Sequence, residues 1–165
     1  MPALYRIRRI LVPVDGSEYS RYAAEHAVLL AAPHDAEVVF LHVVDEQLAA
    51  ELASREPEDG QAARQRLLEH GNSCLQSVAR LAAEHGVAHR EEQAEGDPGA
   101  IICDVAVREQ ADAIVIGKIG RHGARRILMG SITRRVIEST DRPVLVVTGP
   151  PLEAVLGAPA SDASQ

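Results

Sequence analysis

Residues 111–131 read ADAIVIGKIGRHGARRILMGS, and this stretch predicts the fold around it. Ala111 to Ile116 is a short apolar run, typical of a buried strand. The glycines after it have the spacing G-x2-G-x9-G-S, and Ile132 to Thr140 then predicts a helix. Glycine lets backbone N–H groups approach a ligand closely, and a helix N-terminus favours anions. The stretch therefore predicts an anion site, with a solvated surface loop as the alternative.

The distribution of charge supports the anion site. Six of the 17 basic residues fall between positions 113 and 137, in a window without Asp or Glu. They are Lys118, Arg121, Arg125, Arg126, Arg134 and Arg135. The whole chain carries a net charge of −7, which argues against a general nucleic-acid binder or a binder of anionic membranes.

Composition predicts one domain that lies in the cytoplasm. The chain has 165 residues, no apolar stretch of transmembrane length and no signal peptide at its start. Cys74 and Cys103 are isolated and are expected to be reduced thiols. With three Tyr, one Phe and no Trp, a pocket for a nucleobase would have to be aliphatic.

Apolar runs and helical patterns alternate along the chain. Strands are predicted at 9–14, 37–44, 87–94, 111–116 and 144–148, and helices at 20–32, 61–85, 98–110 and 131–140. Residues 46–60 are expected to be a mobile connection with a short helical turn at 47–54. The polar third strand is expected at a sheet edge, and Gly71 is expected to kink its helix. Residues 1–149 would form the domain and 150–165 a disordered tail.

This alternation predicts an α/β fold with a five-stranded, parallel, doubly wound sheet in the order 3-2-1-4-5. Ligands of such sheets bind where the strand order reverses, which is here between the first and fourth strands. Asp15 follows the first strand and the glycine loop follows the fourth. Both features are therefore expected at one crevice.

Common nucleotide fingerprints are missing. Gly117-Lys118 is not followed by Ser or Thr, so the loop is not a Walker P-loop. The first strand is not followed by the dinucleotide pattern G-x-G-x-x-G, and the chain has no G-x-S-x-G nucleophile elbow. His42 lies within a strand and is expected to be a core or edge histidine rather than a ligand.

Four segments resemble the universal stress proteins, over roughly Arg8 to Thr148. They are RILVPVDGSEYS at 9–20, EVVFLHVVDE at 37–46, GDPGAIICDVA at 96–106 and the stretch from 111 to 147. The resemblance implies a Rossmann-like fold of the nucleotide alpha-hydrolase type. Within that family, G-x2-G-x9-G-[S/T] marks the ATP-binding branch.

The resemblance also implies roles for individual residues. Asp15 is similar to the acidic residue that contacts the ribose side of the nucleotide, and Val43 to the position whose backbone bonds adenine. Pro13 and Val14 would line the base pocket. Gly117 and Gly120 would let ribose and phosphate approach. The phosphate donors would be Gly130 and Ser131.

Three further residues complete the expected site. Ile116 and Ile132 flank the glycine pattern at its two ends. Arg121 occupies a variable position of the pattern, so its charge contact with phosphate is inferred from its charge and not from the resemblance. Mg²⁺ bound through the triphosphate would offset the charge of Asp15.

The hypothesis is an ATP-binding, stress-response regulatory protein that acts as a nucleotide-dependent switch, with or without slow ATP hydrolysis. The resemblance implies a homodimer through the fifth strand, Val144 to Val147, whose apolar edge would otherwise favour association. Two alternatives stay open. One is an enzyme that hydrolyses ATP or transfers a phosphate or nucleotide, and the other is a dimeric interaction module that needs no nucleotide.

Overall fold

Five parallel strands form one sheet in the computed structural model, which describes residues 6–55, 60–121 and 128–151. The strands are β1 (Arg9–Pro13), β2 (Glu37–Asp45), β3 (His89–Gly96), β4 (Ala113–Gly117) and β5 (Val144–Val147). The helices are α1 (Glu18–Ala31), α2 (Glu46–Arg55), α3 (Gly60–Glu84), α4 (Pro98–Arg108) and α5 (Ser131–Ser139). The strand order is β3-β2-β1-β4-β5, so the predicted fold class and topology are confirmed.

The core lies on both faces of the sheet. Ile10, Val12 and Phe40 pack with α1 and α3 on one face, and Leu11 and Ile114 pack with α4 and α5 on the other. All five of these side chains are fully buried. Because β1 and β4 are covered on both faces, their sequences are continuous apolar runs.

The helices that begin near the carboxyl ends of the strands are capped in two different ways. The Ser17 hydroxyl accepts the N–H of Ser20 at 3.1 Å, and the Asp97 carboxylate accepts the N–H of Ala100 at 2.9 Å. These side chains cap α1 and α4. Helix α5 begins after Gly130, which offers no side chain to its first turn.

Residues 46–55 form a complete helix, which corrects the expected mobile connection. Asp45 caps α2, because its carboxylate accepts the N–H groups of Gln47 at 2.8 Å and Leu48 at 3.3 Å. Glu46 in the first turn and Arg55 in the last turn complement the helix dipole. Residues 56–59 lie outside the described ranges.

Gly71 has a packing role within α3. A Cβ atom at this position would lie 2.0 Å from Gln93 Nε2 and 2.3 Å from His42 Cδ2. The glycine therefore lets α3 approach β2 and β3 closely. This close approach is a packing reason for a glycine in the middle of the helix.

The edge strands are β3 and β5. Strand β3 was predicted at an edge, and its outward side chains form ion pairs, such as Arg90 with Glu37 at 2.8 Å. On β5, Leu145 is 43% exposed.

Within the described ranges, the structure contains no helix with the length and apolar character needed to cross a membrane. The expected tail begins at Pro150, and its residues 152–165 lie outside the description.

Candidate functional site

A cleft opens at the carboxyl edge of the sheet, where β1 and β4 are neighbours and the strand order reverses. The two strands pair at Ile10 with Ala113 and at Leu11 with Ile114. Beyond these pairs, β1 continues towards α1 and β4 continues towards α5. Nine of the eleven predicted site residues line this cleft: Pro13, Val14, Asp15, Val43, Ile116, Gly117, Gly120, Arg121 and Ile132.

Aliphatic side chains dominate the walls of the cleft. Besides the predicted residues, Leu41, Ile102 and Ile119 contribute buried apolar surface. Leu48 of α2 and Leu67 of α3 also line it. Among the described residues that line the cleft, none is Phe, Tyr or Trp. A flat apolar ligand would therefore be held by aliphatic contacts and not by aromatic stacking.

Asp15 joins the first turn to the glycine loop. Its Oδ1 atom accepts the N–H of Ser17 at 2.9 Å, and its Oδ2 atom accepts the N–H of Arg121 at 2.9 Å. A Cβ atom on Gly120 would lie only 2.6 Å from the same Oδ2 atom. The carboxylate thus fixes the loop across the point where the strand order reverses, and it does so only because residue 120 has no side chain.

The other glycines of the pattern also permit close contacts. A Cβ atom on Gly117 would lie 2.7 Å from the carbonyl carbon of Tyr19, so β4 could not approach α1 with a larger residue. The N–H of Gly130 donates to the carbonyl of Lys118 at 2.9 Å. This bond brings the end of the loop beside its beginning. Gly130 lies outside the cleft lining proper, next to Gly120.

The first turn of α5 begins beside the cleft. Ser131 is its first residue, and Thr133 fixes the helix by donating its hydroxyl to the carbonyl of Gly117 at 2.9 Å. N–H groups in the first turn of a helix have no partner within the helix. Among the described residues, no side chain caps this turn and the turn contains no acidic residue, so its N–H donors and the helix dipole favour an anion.

Two histidines that the sequence did not assign to the site also line the cleft. His42 Nδ1 lies 2.7 Å from the carbonyl of Val14, so this nitrogen carries a hydrogen. Burial lowers the pKa of His42 from its ordinary value of 6.5.

His70 Nε2 lies 2.7 Å from Arg121 Nη1 and 3.3 Å from Cys74 Sγ. Burial raises the pKa of the Cys74 thiol, which favours its protonated form.

The six basic residues between positions 113 and 137 are only partly available to a ligand. Arg135 forms an ion pair with Asp97 at 2.8 Å, and Arg121 contacts His70. Residues 122–127, which include Arg125 and Arg126, lie outside the described ranges. In the described geometry, the glycines and the α5 N-terminus are therefore better placed to contact an anion than the basic side chains.

The chemistry of the cleft fits a nucleotide better than a protein-bound metal ion. In the described part of the chain, His, Cys, Asp and Glu side chains form no group of three that could hold a metal. The lining carboxylates, Asp15 and Asp45, already accept backbone N–H groups. An aliphatic cavity beside an uncapped helix N-terminus instead suits a molecule with an apolar base and an anionic group.

A helical pattern could have revealed His70. Leu67, His70, Gly71 and Cys74 share one face of α3, at the spacing of residues that face the core. The glycine marks where this face comes closest to the sheet. His42 was expected in the core or at an edge. It is indeed only 7% exposed, but it also borders the cleft.

The comparisons with known proteins agree with this fold. The model of the universal stress protein family matches residues 6–148. A universal stress protein of Methanocaldococcus jannaschii is 39% identical over 148 residues, covering 88% of this chain and 85% of the relative. The solved structure of the protein MJ0577 gives a TM-score of 0.77 at 27% identity, covering 89% of this chain and 99% of that one.

Some structures of the same fold contain adenine nucleotides. One universal stress protein was solved in complex with cAMP, at 22% identity, a TM-score of 0.62 and coverage of 87% of this chain and 98% of that one. A protein of Archaeoglobus fulgidus was solved with dAMP, at 21% identity, a TM-score of 0.63 and coverage of 87% and 100%. A protein of Arabidopsis thaliana was solved with AMP, at 21% identity, a TM-score of 0.63 and coverage of 94% and 99%. At these identities, the likeness shows the shared fold.

Proposed function

The chain belongs to the universal stress protein family, and from that premise we propose that it binds ATP in the cleft between β1 and β4 and acts as a nucleotide-dependent switch in a stress response. The observation that carries the proposal is the first turn of α5. It begins without a capping side chain, beside Gly120 and Gly130, at the reversal of strand order.

The base would occupy the aliphatic part of the cleft. Val43 lies near the carboxyl end of β2, and its backbone would bond adenine, while Pro13 and Val14 would pack on the ring. Ile116 and Ile132 lie at the two ends of the glycine pattern. The adenine nucleotides bound to other proteins of this fold support this assignment.

The phosphates would approach the glycine loop and the N–H groups of Ser131 and Ile132. A Cβ atom on Gly130 would lie 3.4 Å from Ile119 Cα and 3.7 Å from the backbone nitrogen of Gly120, within the narrow space between the two ends of the loop. A side chain there would block a phosphate from reaching these donors. Mg²⁺ would be held mainly by the triphosphate oxygens, and its positive charge would offset that of Asp15.

The switch would act through the glycine loop. Asp15 holds the N–H of Arg121, so the loop is tied to β1 as well as to β4. A ligand at the loop can therefore change the contacts between the two halves of the sheet. The described side chains favour binding over turnover, because both oxygens of Asp15 already accept backbone hydrogens.

The proposal includes a homodimer through β5 and a cytoplasmic location without nucleic-acid or membrane partners. Strand β5 is an edge strand, and its Leu145 side chain is 43% exposed. Pairing of two such edges would satisfy their backbone groups and cover this side chain. The net charge of −7 is unfavourable for contact with other polyanions.

Isothermal titration calorimetry with ATP tests the binding proposal. The wild type is expected to bind ATP in the presence of Mg²⁺. Gly130→Val should abolish most of the binding, because its methyl groups would fill the space beside Gly120. Gly149→Val is the matched control, since a Cβ atom there would meet no heavy atom within 4 Å. An absence of binding by the wild type, or equal binding by both variants, would overturn the proposal.

A further inference from the structure

The side chain of Arg121 lies on the side of the sheet opposite α5, where it contacts α3. Its Nη1 atom lies 2.7 Å from His70 Nε2 on α3. Helix α3 packs with α1 on one face of the sheet, whereas α5 packs with α4 on the other. A guanidinium can only donate, so His70 Nε2 is the acceptor in this bond. The charge of Arg121 is thus directed away from the helix N-terminus assigned to the phosphates.

His70 has a second donor close to the same nitrogen. Cys74 Sγ lies 3.3 Å from His70 Nε2, one helical turn further along α3. Burial raises the pKa of Cys74, so the sulfur retains a hydrogen that it can donate. If Arg121 leaves, the thiol can satisfy His70. The loss of the arginine therefore does not leave a half-buried imidazole nitrogen without a partner.

A phosphate is a stronger partner for Arg121 than a neutral imidazole. A phosphate carries an opposite charge and can accept two parallel N–H bonds from one guanidinium, whereas a neutral imidazole offers a single uncharged acceptor nitrogen. Arg121 lies on the cleft and is held through its backbone by Asp15, so its side chain can move while its backbone stays in place. The guanidinium thus contacts His70 in the structure and would gain a second, alternative partner in a bound phosphate.

We infer that His70 is a docking residue that withholds Arg121 from the phosphates and thereby sets how well the cleft distinguishes a nucleoside triphosphate from a monophosphate. This inference rests on the proposed function. Binding of ATP transfers Arg121 from His70 to the outer phosphates. AMP does not extend to the guanidinium, so it leaves the contact between Arg121 and His70 in place. The energy of undocking reduces the affinity for ATP and not the affinity for AMP.

Calorimetric titrations of ATP and AMP, in one buffer with Mg²⁺, test this exchange. His70→Leu removes the acceptor, and it should tighten ATP binding about threefold to tenfold, the value of one modest hydrogen bond, while AMP binding is unchanged. His70→Gln retains an acceptor oxygen and should behave like the wild type. In an Arg121→Gln background, His70→Leu should no longer affect ATP binding.

The outcomes separate this inference from the proposed function. Weaker or unchanged ATP binding by His70→Leu would overturn it, because His70 would then not be withholding the arginine. Equal shifts for ATP and AMP, or a gain that persists without Arg121, would also overturn it. All three results leave nucleotide binding intact. A wild type that binds neither nucleotide would overturn the proposed function, and this inference with it.

Discussion

Gly120→Ala should destabilise the protein through a single atomic conflict. The added methyl group would lie 2.6 Å from Asp15 Oδ2, the atom that accepts the N–H of Arg121. Gly120 is not among the described residues with positive φ, so the backbone itself tolerates alanine. The loop or the carboxylate must move instead, and the bond to Arg121 is lost.

The size of the effect follows from that bond. A hydrogen bond to a charged group contributes about 1.5–3 kcal/mol. We expect the free energy of unfolding to fall by about 2 kcal/mol, which corresponds to a decrease in Tm of about 4–8 °C for a chain of this length. Urea denaturation of the wild type and the variant measures the change in the free energy of unfolding. Far-UV circular dichroism is the signal, since the chain has no Trp for fluorescence.

Two controls decide whether the carboxylate is the cause. Gly149→Ala meets no heavy atom within 4 Å and should change stability by no more than about 0.5 kcal/mol. In an Asp15→Ala background, the methyl group of Gly120→Ala meets no carboxylate, so its cost should nearly disappear. The expected coupling in this double-mutant cycle is about 1–2 kcal/mol. Strictly additive losses would refute the reasoning.

Three further predictions concern α3, His42 and β5. Gly71→Ala should lower the free energy of unfolding by about 1–3 kcal/mol in urea denaturation, because its Cβ would overlap the side chains of His42 and Gln93. Asn72→Ala, on the exposed face of α3, should leave it nearly unchanged. Equal losses for the two variants would contradict this packing. The pKa of His42 is lowered by burial, so the unfolded chain binds a proton that the folded chain does not, and stability should fall as the pH drops below about 6.5, by at most about 1.4 kcal/mol per pH unit. Denaturation of a His42→Asn variant should lack this part of the slope, and an unchanged slope would contradict the assignment. Leu145→Asp should produce a monomer in size-exclusion chromatography with light scattering, while Leu30→Asp, a similarly exposed position on α1, should not; a dimer that survives Leu145→Asp would contradict the β5 interface.

The sequence predicted the layout of the cleft because local signals placed both of its sides. The apolar run before Gly117 predicted β4, and the helical pattern at 20–32 predicted α1 behind the first strand. Parallel topology then requires that the ends of β1 and β4 meet at the same edge. The contact between Asp15 and the glycine loop follows from these elements without knowledge of any distance.

The sequence predicted only a short helical turn at 47–54 where the full helix α2 forms, because Pro57 and Gly60 close behind it favour a loop. The decisive signal was Asp45, which ends β2 and at the same time caps α2. In the sequence, Asp45 directly follows the predicted strand at 37–44, and nothing else near it marks the start of a helix. A residue that belongs to two elements is difficult to recognise when each element is predicted separately.

The contacts of the arginines could not be predicted, because they depend on how distant elements are oriented. Arg135 meets Asp97, which is 38 positions away, and Arg121 meets His70, which is 51 positions away. The sequence shows a cluster of positive charge but not the partners that neutralise it or bind it. Those partners come from α3 and from the cap of α4, whose orientation is set by packing on the sheet.

The most direct test of nucleotide binding at this cleft is a titration of ¹⁵N-labelled protein with ATP, monitored by amide NMR spectra. We predict saturable shifts at the amides of Val43, Gly120 and Ser131, with little change at Arg90 on the β3 edge. Spectra that do not change, or shifts that saturate only at residues remote from the β1–β4 cleft, would contradict the account.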